Sequence, residues 1–372
     1  MSSGGFELDP DGRKLFRPTV PLFPRLEDVI CQLEPATAAL NEFDRRLSDK
    51  QEPVGRLFQR LDAVHSSGAE GSTTTFTDLL EYESALQAAH DPDDAAVVAA
   101  VAAGLEERFD EGDLRGLILR LHKRLFEHSP NKMLAAGAGR LKTSPNYVLD
   151  SDAANSWFGY TSPFSVEATL SEWSAFTLAA NHGTPELIRQ VLSHWMIEHI
   201  HPVADGNGRI GRLLVSIVLQ AKGFTNKACA FFGEAVHEEK SLYVDALKDA
   251  RITGNPTSYV RQMLSFLRRT AEANIARLDR LEAVEAEWKS RLASVRSHSI
   301  IHRLCPYAIT KPVFTIGEAH KYLGVSFAAA NTAAQALLKE GILSIPNDSS
   351  RNRLFRADAV LGVFDRSKNL RT

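Results

Sequence analysis

The sequence predicts a mainly α-helical protein with one small β-hairpin in its middle and a compact helix–turn–helix unit near its C-terminal end. Three observations lead there. Apolar residues recur at three- and four-residue steps over most of the chain. Residues 137–165 break that period, with Gly137, Gly139, Pro145, Gly159 and Pro163 around short β-favouring pieces. Residues 298–372 then follow a long charged helical stretch as a small unit of their own.

Residues 1–25 hold four prolines and little periodicity, so they are expected as an arm rather than a domain. Leu26, Ile30, Leu33, Ala36, Leu40, Phe43 and Leu47 form a helical stripe within a helical region reaching to Ala63. Helices are predicted over Thr77–His90 and Ala95–Phe109, separated by Asp91-Pro92-Asp93-Asp94, which offers an N-cap. A further helix covers Leu114–Glu127. Tyr147-Val148-Leu149 and Trp157-Phe158 are the strands of the predicted hairpin. Helices resume at Val166–Asn181 and at Pro185–His199, where Thr184 reads as the cap and Pro185 as the first-turn residue. Residues 257–295 are one long charge-laced helix. Phe314–Gly324 and Ser326–Gly341 read as helix, turn, helix, with Arg351–Phe355 as a wing strand. The expected division is 1–110, 111–260, a connector 261–297, and 298–372.

Composition excludes several classes. Forty-three Lys and Arg stand against 46 Asp and Glu, a net charge of −3, which argues against wholesale coating of nucleic acid or an acidic membrane. Three widely spaced cysteines form neither a closed disulfide set nor a metal-type spacing. No apolar run approaches the ~20 residues that cross a bilayer, and the N-terminus lacks a secretory core, so a soluble cytoplasmic protein is expected.

The chemistry is concentrated in His201-Pro-Val-Ala-Asp-Gly-Asn-Gly-Arg-Ile-Gly-Arg212, between two helical segments. Gly206-Asn207-Gly208 can adopt the left-handed conformations that turn successive N–H groups inward, and the helix that follows adds its positive end. That is a cradle for phosphate. Arg209 and Arg212, three apart in the first turn, can bind phosphate oxygens bidentately. Asp205 is placed for Mg²⁺, which takes one or two carboxylates plus substrate phosphates. His201, with an ordinary pKa of about 6.5, can act as general base. The spacing is not that of a Walker loop. Read from residues alone, this is a phosphoryl- or nucleotidyl-transfer site whose donor stays open among ATP, UTP, GTP and a CDP-ester.

This stretch resembles the signature H-x-F-x-D/E-G-N-G-R-x-x-R of the Fic (Fic/Doc) family. Every polar position matches, and Val203 stands where the family has phenylalanine. The resemblance implies a Fic-type helical bundle core with a hairpin flap at about residues 139–160, plus a C-terminal winged-helix-like domain. It implies a protein adenylyltransferase (AMPylator) that uses Mg-ATP. His201 would deprotonate a Ser, Thr or Tyr hydroxyl of a target, or of the protein itself, for attack on the α-phosphorus. Asp205 would hold Mg²⁺, Gly206, Asn207 and Gly208 would cradle the phosphates, Arg209 would meet the β-phosphate and Arg212 the γ-phosphate. The flap would grip the target by main-chain pairing.

Ser66-Ser-Gly-Ala-Glu70-Gly71 fits the family's inhibitory pattern S/T-x-x-x-E-G/N, ahead of the core. Glu70 would pair with Arg212 in place of the γ-phosphate, with Ser66 capping or steadying the inhibitory helix and Gly71 completing the pattern. In some relatives the same glutamate helps remove AMP. From Arg296 onward the chain carries eleven Lys and Arg against five Asp and Glu. Arg351, Arg353 and Arg356 suit a phosphate-contacting wing, but the alanine-rich helix from Ser326 to Lys339 has few side chains able to read bases. A protein contact, including a homodimer, is favoured over DNA. The rival reading is a DNA-binding regulator whose core is vestigial or only senses nucleotide.

Overall fold

The computed structural model describes residues 3–84, 90–107, 109, 112–149, 157–180, 183–296, 299–346 and 353–365. In chain order the elements are β1 (Gly4–Leu8), β2 (Lys14–Pro18), α1 (Leu26–Ser48), α2 (Glu52–Gly68), α3 (Phe76–Ser84), α4 (Pro92–Gly104), α5 (Leu114–Phe126), α6 (Lys132–Gly137), β3 (Tyr147–Leu149) and β4 (Trp157–Gly159). They continue with α7 (Val166–Leu178), α8 (Glu186–Ile200), α9 (Asn207–Ala221), α10 (Gly233–Glu238), α11 (Lys240–Thr253), α12 (Thr257–Arg291), α13 (Ile301–Thr310), β5 (Val313–Thr315), α14 (Ile316–Leu323), α15 (Phe327–Lys339), β6 (Leu354–Arg356) and α16 (Asp358–Phe364). The chain is thus mainly helical with a small hairpin, β3–β4. Among the described residues no helix is long and apolar enough to cross a membrane.

Two compact units emerge. One comprises Met1–Arg45, His65–Gly71 and Ala100–Glu272. Its centre is α8, in which every residue is buried, as befits a helix enclosed on all sides. The helices α7 and α9 and the strand β2 pack against it. Trp173 and Trp195 are buried there, and their indole N–H groups donate to Ser193 O and Leu247 O at 3.0 and 3.2 Å. The other unit comprises Arg46–Val64, Ser72–Ala99 and Ala273–Thr372. In it, Phe58 and Phe76 contact the ring of Phe364, and α13, α14 and α15 pack together beside the antiparallel pair β5–β6.

Several expectations are corrected. Residues 1–25 are not merely an arm. Gly4–Pro18 fold into a hairpin, and β2 pairs in parallel with β4, giving a four-stranded sheet in the order β1-β2-β4-β3. Phe16 drives this: it is buried against Trp195 and His199, partners far away in sequence. Gly4 allows the tight pairing, since a Cβ there would lie 2.3 Å from Arg17 O. The helical region 26–63 divides at residues 49–51 into α1 and α2, with Pro53 in the first turn of α2. Thr184 does not cap α8; Pro185 is the N-cap residue, without a side-chain bond. Val313–Thr315 form a strand, so the helix after it begins at Ile316, with Thr315 and Glu318 forming a reciprocal cap. The helix expected to reach His90 is α3, ending at Ser84; residues 85–89 lie outside the described residues. So do flap residues 150–156 and Arg351 of the expected wing, while β6 covers Leu354–Arg356.

Candidate active site

The fully buried α8 delivers its C-terminus to a cleft of about 490 Å³. His201 ends the helix in the left-handed region (φ 51°, ψ 60°), alone among the described non-glycine residues in having positive φ. That conformation is disfavoured for a side chain with a Cβ and persists only where surrounding contacts impose it. Here Nδ1 lies 3.0 Å from Glu198 O. A carbonyl only accepts, so Nδ1 carries the proton and Nε2 keeps its lone pair. The ring stacks on Tyr160 at 3.8 Å between centroids and 13° between planes. Burial pulls its pKa down to about 4, helped by Lys142 and opposed by the bond to Glu198 O and by Glu70. The imidazole is therefore neutral at neutral pH, as a base must be.

The loop after His201 is clasped by Asn207. Its Oδ1 accepts from Val203 N at 3.0 Å and its Nδ2 donates to Val203 O at 2.9 Å. The Asn207 side chain is thus engaged with the loop, and what it offers an anion is its main-chain N–H at the start of α9. Val203 itself is fully buried. Gly206 adopts φ 77°, and Asp205 Oδ1 accepts from Gly206 N at 2.6 Å.

Into this cradle comes Glu70. A Cβ on Gly208 would lie 2.3 Å from Glu70 Oε1, so the carboxylate occupies the mouth of the nest. Arg212, 3% exposed, donates from Nη2 to Glu70 Oε1 at 2.7 Å and to Ser66 O at 2.8 Å, and from Nε to Ser66 Oγ at 2.7 Å. Ser66 therefore holds the arginine directly instead of capping a helix. Burial raises the Glu70 pKa, but Arg212, with help from Arg209 and Lys240, more than offsets this and leaves the pKa lowered. Gly71 follows with φ 96°. Arg209 is not part of the cleft lining: its guanidinium lies over Phe126 at 5.5 Å and 3.7 Å from Asp205 Oδ1.

So His201, Asp205, Gly206, Asn207, Gly208, Arg212 and Glu70 share one cleft, with Ser66 behind Arg212 and Arg209 to one side. Sequence reasoning missed four other contributors. Lys142 and Asn146 bond to the loop around His201, Tyr160 backs His201, and Glu198 lies buried near Arg212 with Oε1 lacking a hydrogen-bond partner among the described residues. Burial raises the Glu198 pKa to about 7, Arg212 working against this and Glu70 with it. None has a local sequence signal, because each acts across a long separation or on a main-chain carbonyl. Among the described residues no three His, Cys, Asp or Glu cluster as a metal site. The one acid on the loop is Asp205, which fits an ion completed by phosphate and water but not a cage made of protein alone.

Residues 114–219 match the model of the Fic/DOC family. The chain is 25% identical over 163 residues to the protein adenylyltransferase Fic of Nematostella vectensis, covering 43% of this chain and 33% of that protein. It is 32% identical over 71 residues to a probable protein adenylyltransferase of Aquifex aeolicus, covering 19% of this chain and 20% of that one. The matched segments thus span a third or less of these curated relatives. In fold, the chain resembles a Fic family protein from Desulfovibrio desulfuricans, with a TM-score of 0.56, 16% identity, and coverage of 91% of this chain and 98% of the other. It also resembles a Fic domain-containing signaling protein from Bacteroides thetaiotaomicron, with a TM-score of 0.51, 23% identity, and coverage of 64% and 95%.

Proposed function

We propose, from the premise that this chain is a homologue of the Fic/DOC family, that it is a protein adenylyltransferase held in check by its own Glu70. One observation supports this most: Glu70 sits on Arg212 and over Gly208 in the nest whose other side presents a neutral His201. An acidic side chain held there occupies ground suited to a phosphate.

In the reaction, a Ser, Thr or Tyr hydroxyl of a target, or of the chain itself, loses its proton to His201 Nε2. Its oxygen forms a bond to the α-phosphorus of ATP, the bond to the bridging α–β oxygen breaks, and pyrophosphate leaves. His201 needs no tautomer change, since Nδ1–H already points to Glu198 O. The main-chain N–H groups at the start of α9 hold phosphate oxygens, and Arg212 takes the γ-phosphate once Glu70 withdraws. Asp205 would hold Mg²⁺, which supplies neutralisation of phosphate charge. The target segment pairs with β3, an edge strand of the four-stranded sheet. Arg209 reaches the β-phosphate by turning from Phe126.

The C-terminal part is read as a winged-helix-like unit. In it, α14 and α15 meet at Gly324 (φ 63°), next to β5–β6. Ala330, Ala333, Ala334 and Leu337 of α15 are buried while Tyr322 and Phe327 are exposed, which supports a protein contact rather than base reading.

The test is incubation with ATP labelled at the α-phosphate. Wild type should take up little label, Glu70→Gly at least tenfold more, and Glu70→Gly with His201→Ala none. A folded Glu70→Gly protein that transfers no label to itself or to a cell extract would sink the proposal.

A further inference from the structure

Lys142 is 5% exposed. A buried lysine ordinarily has a carboxylate partner. Among the described residues no carboxylate pairs with this one; its Nζ donates to Ile200 O at 3.2 Å. That carbonyl ends α8, where unsatisfied carbonyls and the helix dipole give partial negative charge. The same residue's main-chain N–H donates to Pro202 O at 2.9 Å. Four residues on, Asn146 Nδ2 donates to Ala204 O at 3.0 Å and Val203 O at 3.4 Å. The carbonyls of residues 200, 202, 203 and 204 are thus all held from one segment, on both sides of His201. That segment leads directly into β3.

We propose that Lys142 is the positioning residue of the catalytic loop: its ammonium clamps the left-handed turn that aims His201, and ties that aim to the strand proposed to receive the target. The chemistry it serves rests on the functional reading above, but the clamp is measurable on its own. Electrostatics agree with the geometry. The groups bearing on His201 are Lys142 from the segment before β3, Glu70 from the segment after α2, His199 from α8 and Tyr160 stacked beyond β4. Lys142 disfavours the imidazolium. Burial brings its own amine down to about 7, so near pH 4, where His201 titrates, it is charged and exerts this effect. Removing it raises the His201 pKa and moves the acid limb of activity to higher pH.

The experiment is an NMR titration of the His201 ring in the full chain, combined with label transfer in the Glu70→Gly background. In Lys142→Met, which keeps much of the side chain's length without the ammonium, the His201 titration should rise by about one pH unit. The single Nδ1–H tautomer should become a mixture. The kcat should fall at least tenfold with KM for ATP within about twofold. Lys142→Arg, which keeps charge and donor, should hold the wild-type titration and at least half of kcat. An unchanged titration and tautomer in Lys142→Met overturns the proposal. So does a folded Lys142→Arg protein whose His201 titration rises by about one pH unit or whose kcat falls tenfold from wild type, an outcome that decides the matter even if the methionine variant does not fold. Altered His201 titration in a chain that never transfers label would sink the functional reading and leave the clamp standing.

Discussion

The cleft has two walls built on different physics. The wall of the proposed inhibitory segment, the end of α2 through Gly71, is held by a guanidinium with 3% exposure and three close oxygen partners. The wall of the proposed flap is held to the loop around His201 by bonds onto main-chain carbonyls, while its strands expose Leu149 and Trp157, each 59% accessible. A charged contact can be exchanged for another anion of similar shape, so the first wall suits competition between carboxylate and phosphate. The second offers an open strand edge and apolar side chains, suited to a neutral polypeptide segment. Donor binding and target binding should therefore fail separately.

The largest effect should come from Arg212. In the Glu70→Gly background, Arg212→Ala should lower kcat/KM for ATP by at least 100-fold, since a desolvated charge-assisted contact to phosphate is lost. Trp157→Ser in the same background should cost no more than about tenfold, confined to KM for the protein target. Equal losses toward ATP in the two variants would break the division of labour.

Glu198 sharpens the picture of the inhibitory wall. It is buried close to Gly211, where a Cβ would come within 2.3 Å of its Oε1. Its pKa is raised from the ordinary 4.5 to about 7, chiefly by burial. The folded protein thus holds this proton more tightly than the unfolded chain. The associated stability is complete below about pH 4.5 and is lost as pH rises to and through about 7. Over that window it amounts to about 3 kcal/mol. Glu198→Gln should flatten the fall in unfolding free energy between pH 5 and 8, measured by urea denaturation; an unaltered pH slope counts against the burial argument.

A somewhat smaller change is expected from Glu70 itself. Glu70→Gly, proposed above to activate, removes the carboxylate nearest a buried arginine. A fully buried pair broken this way costs about 3–5 kcal/mol. Because the Glu70 side chain is 35% exposed, about 1–3 kcal/mol is expected here. Mg-ATP at about 100 times its Kd should restore about 2.7 kcal/mol by linkage. The Glu70→Gly/Glu198→Gln pair should be less stable above pH 7 than the two single changes predict, because Glu198 is the next carboxylate able to balance Arg212. Strict additivity would contradict that role.

What the sequence revealed of this arrangement was what is local. Gly206 to Gly208, Arg209 and Arg212 lie within one loop and one helical turn, so spacing alone suggests an anion cradle. The same spacing could not foretell that Arg209 would turn to Phe126 while Arg212 turned inward, because that depends on which face of α9 the bundle covers. Ser66 is legible as part of a pattern, but its partner is not: its hydroxyl and carbonyl both accept from Arg212, a long-range choice no cap rule anticipates. The N-terminal hairpin escaped notice because what fixes it, Phe16 against Trp195 and His199, lies far along the chain. Lys142 and Asn146 escaped because carbonyls carry no residue identity.

The hairpin supplies the smallest predicted effect, and the one most specific to the flap wall. Tyr147, at the start of β3, donates its hydroxyl to Asp9 in the turn between β1 and β2, and Arg13 lies 5.4 Å from the same ring. Asp9 is only half-buried, so the bond competes with water and holds the strand's position more than the fold's stability. Tyr147→Phe keeps the ring and the cation contact and deletes only the bond. It should leave the denaturation midpoint and KM for ATP unchanged and raise KM for the protein target by about two- to threefold. Its separation from the inhibitory wall gives the sharper criterion: the same modest rise should be found whether Glu70 is present or replaced by glycine. A rise that appears only in the presence of Glu70 would mean that the sheet and the inhibitory segment move as one body, and that the two walls are not independent.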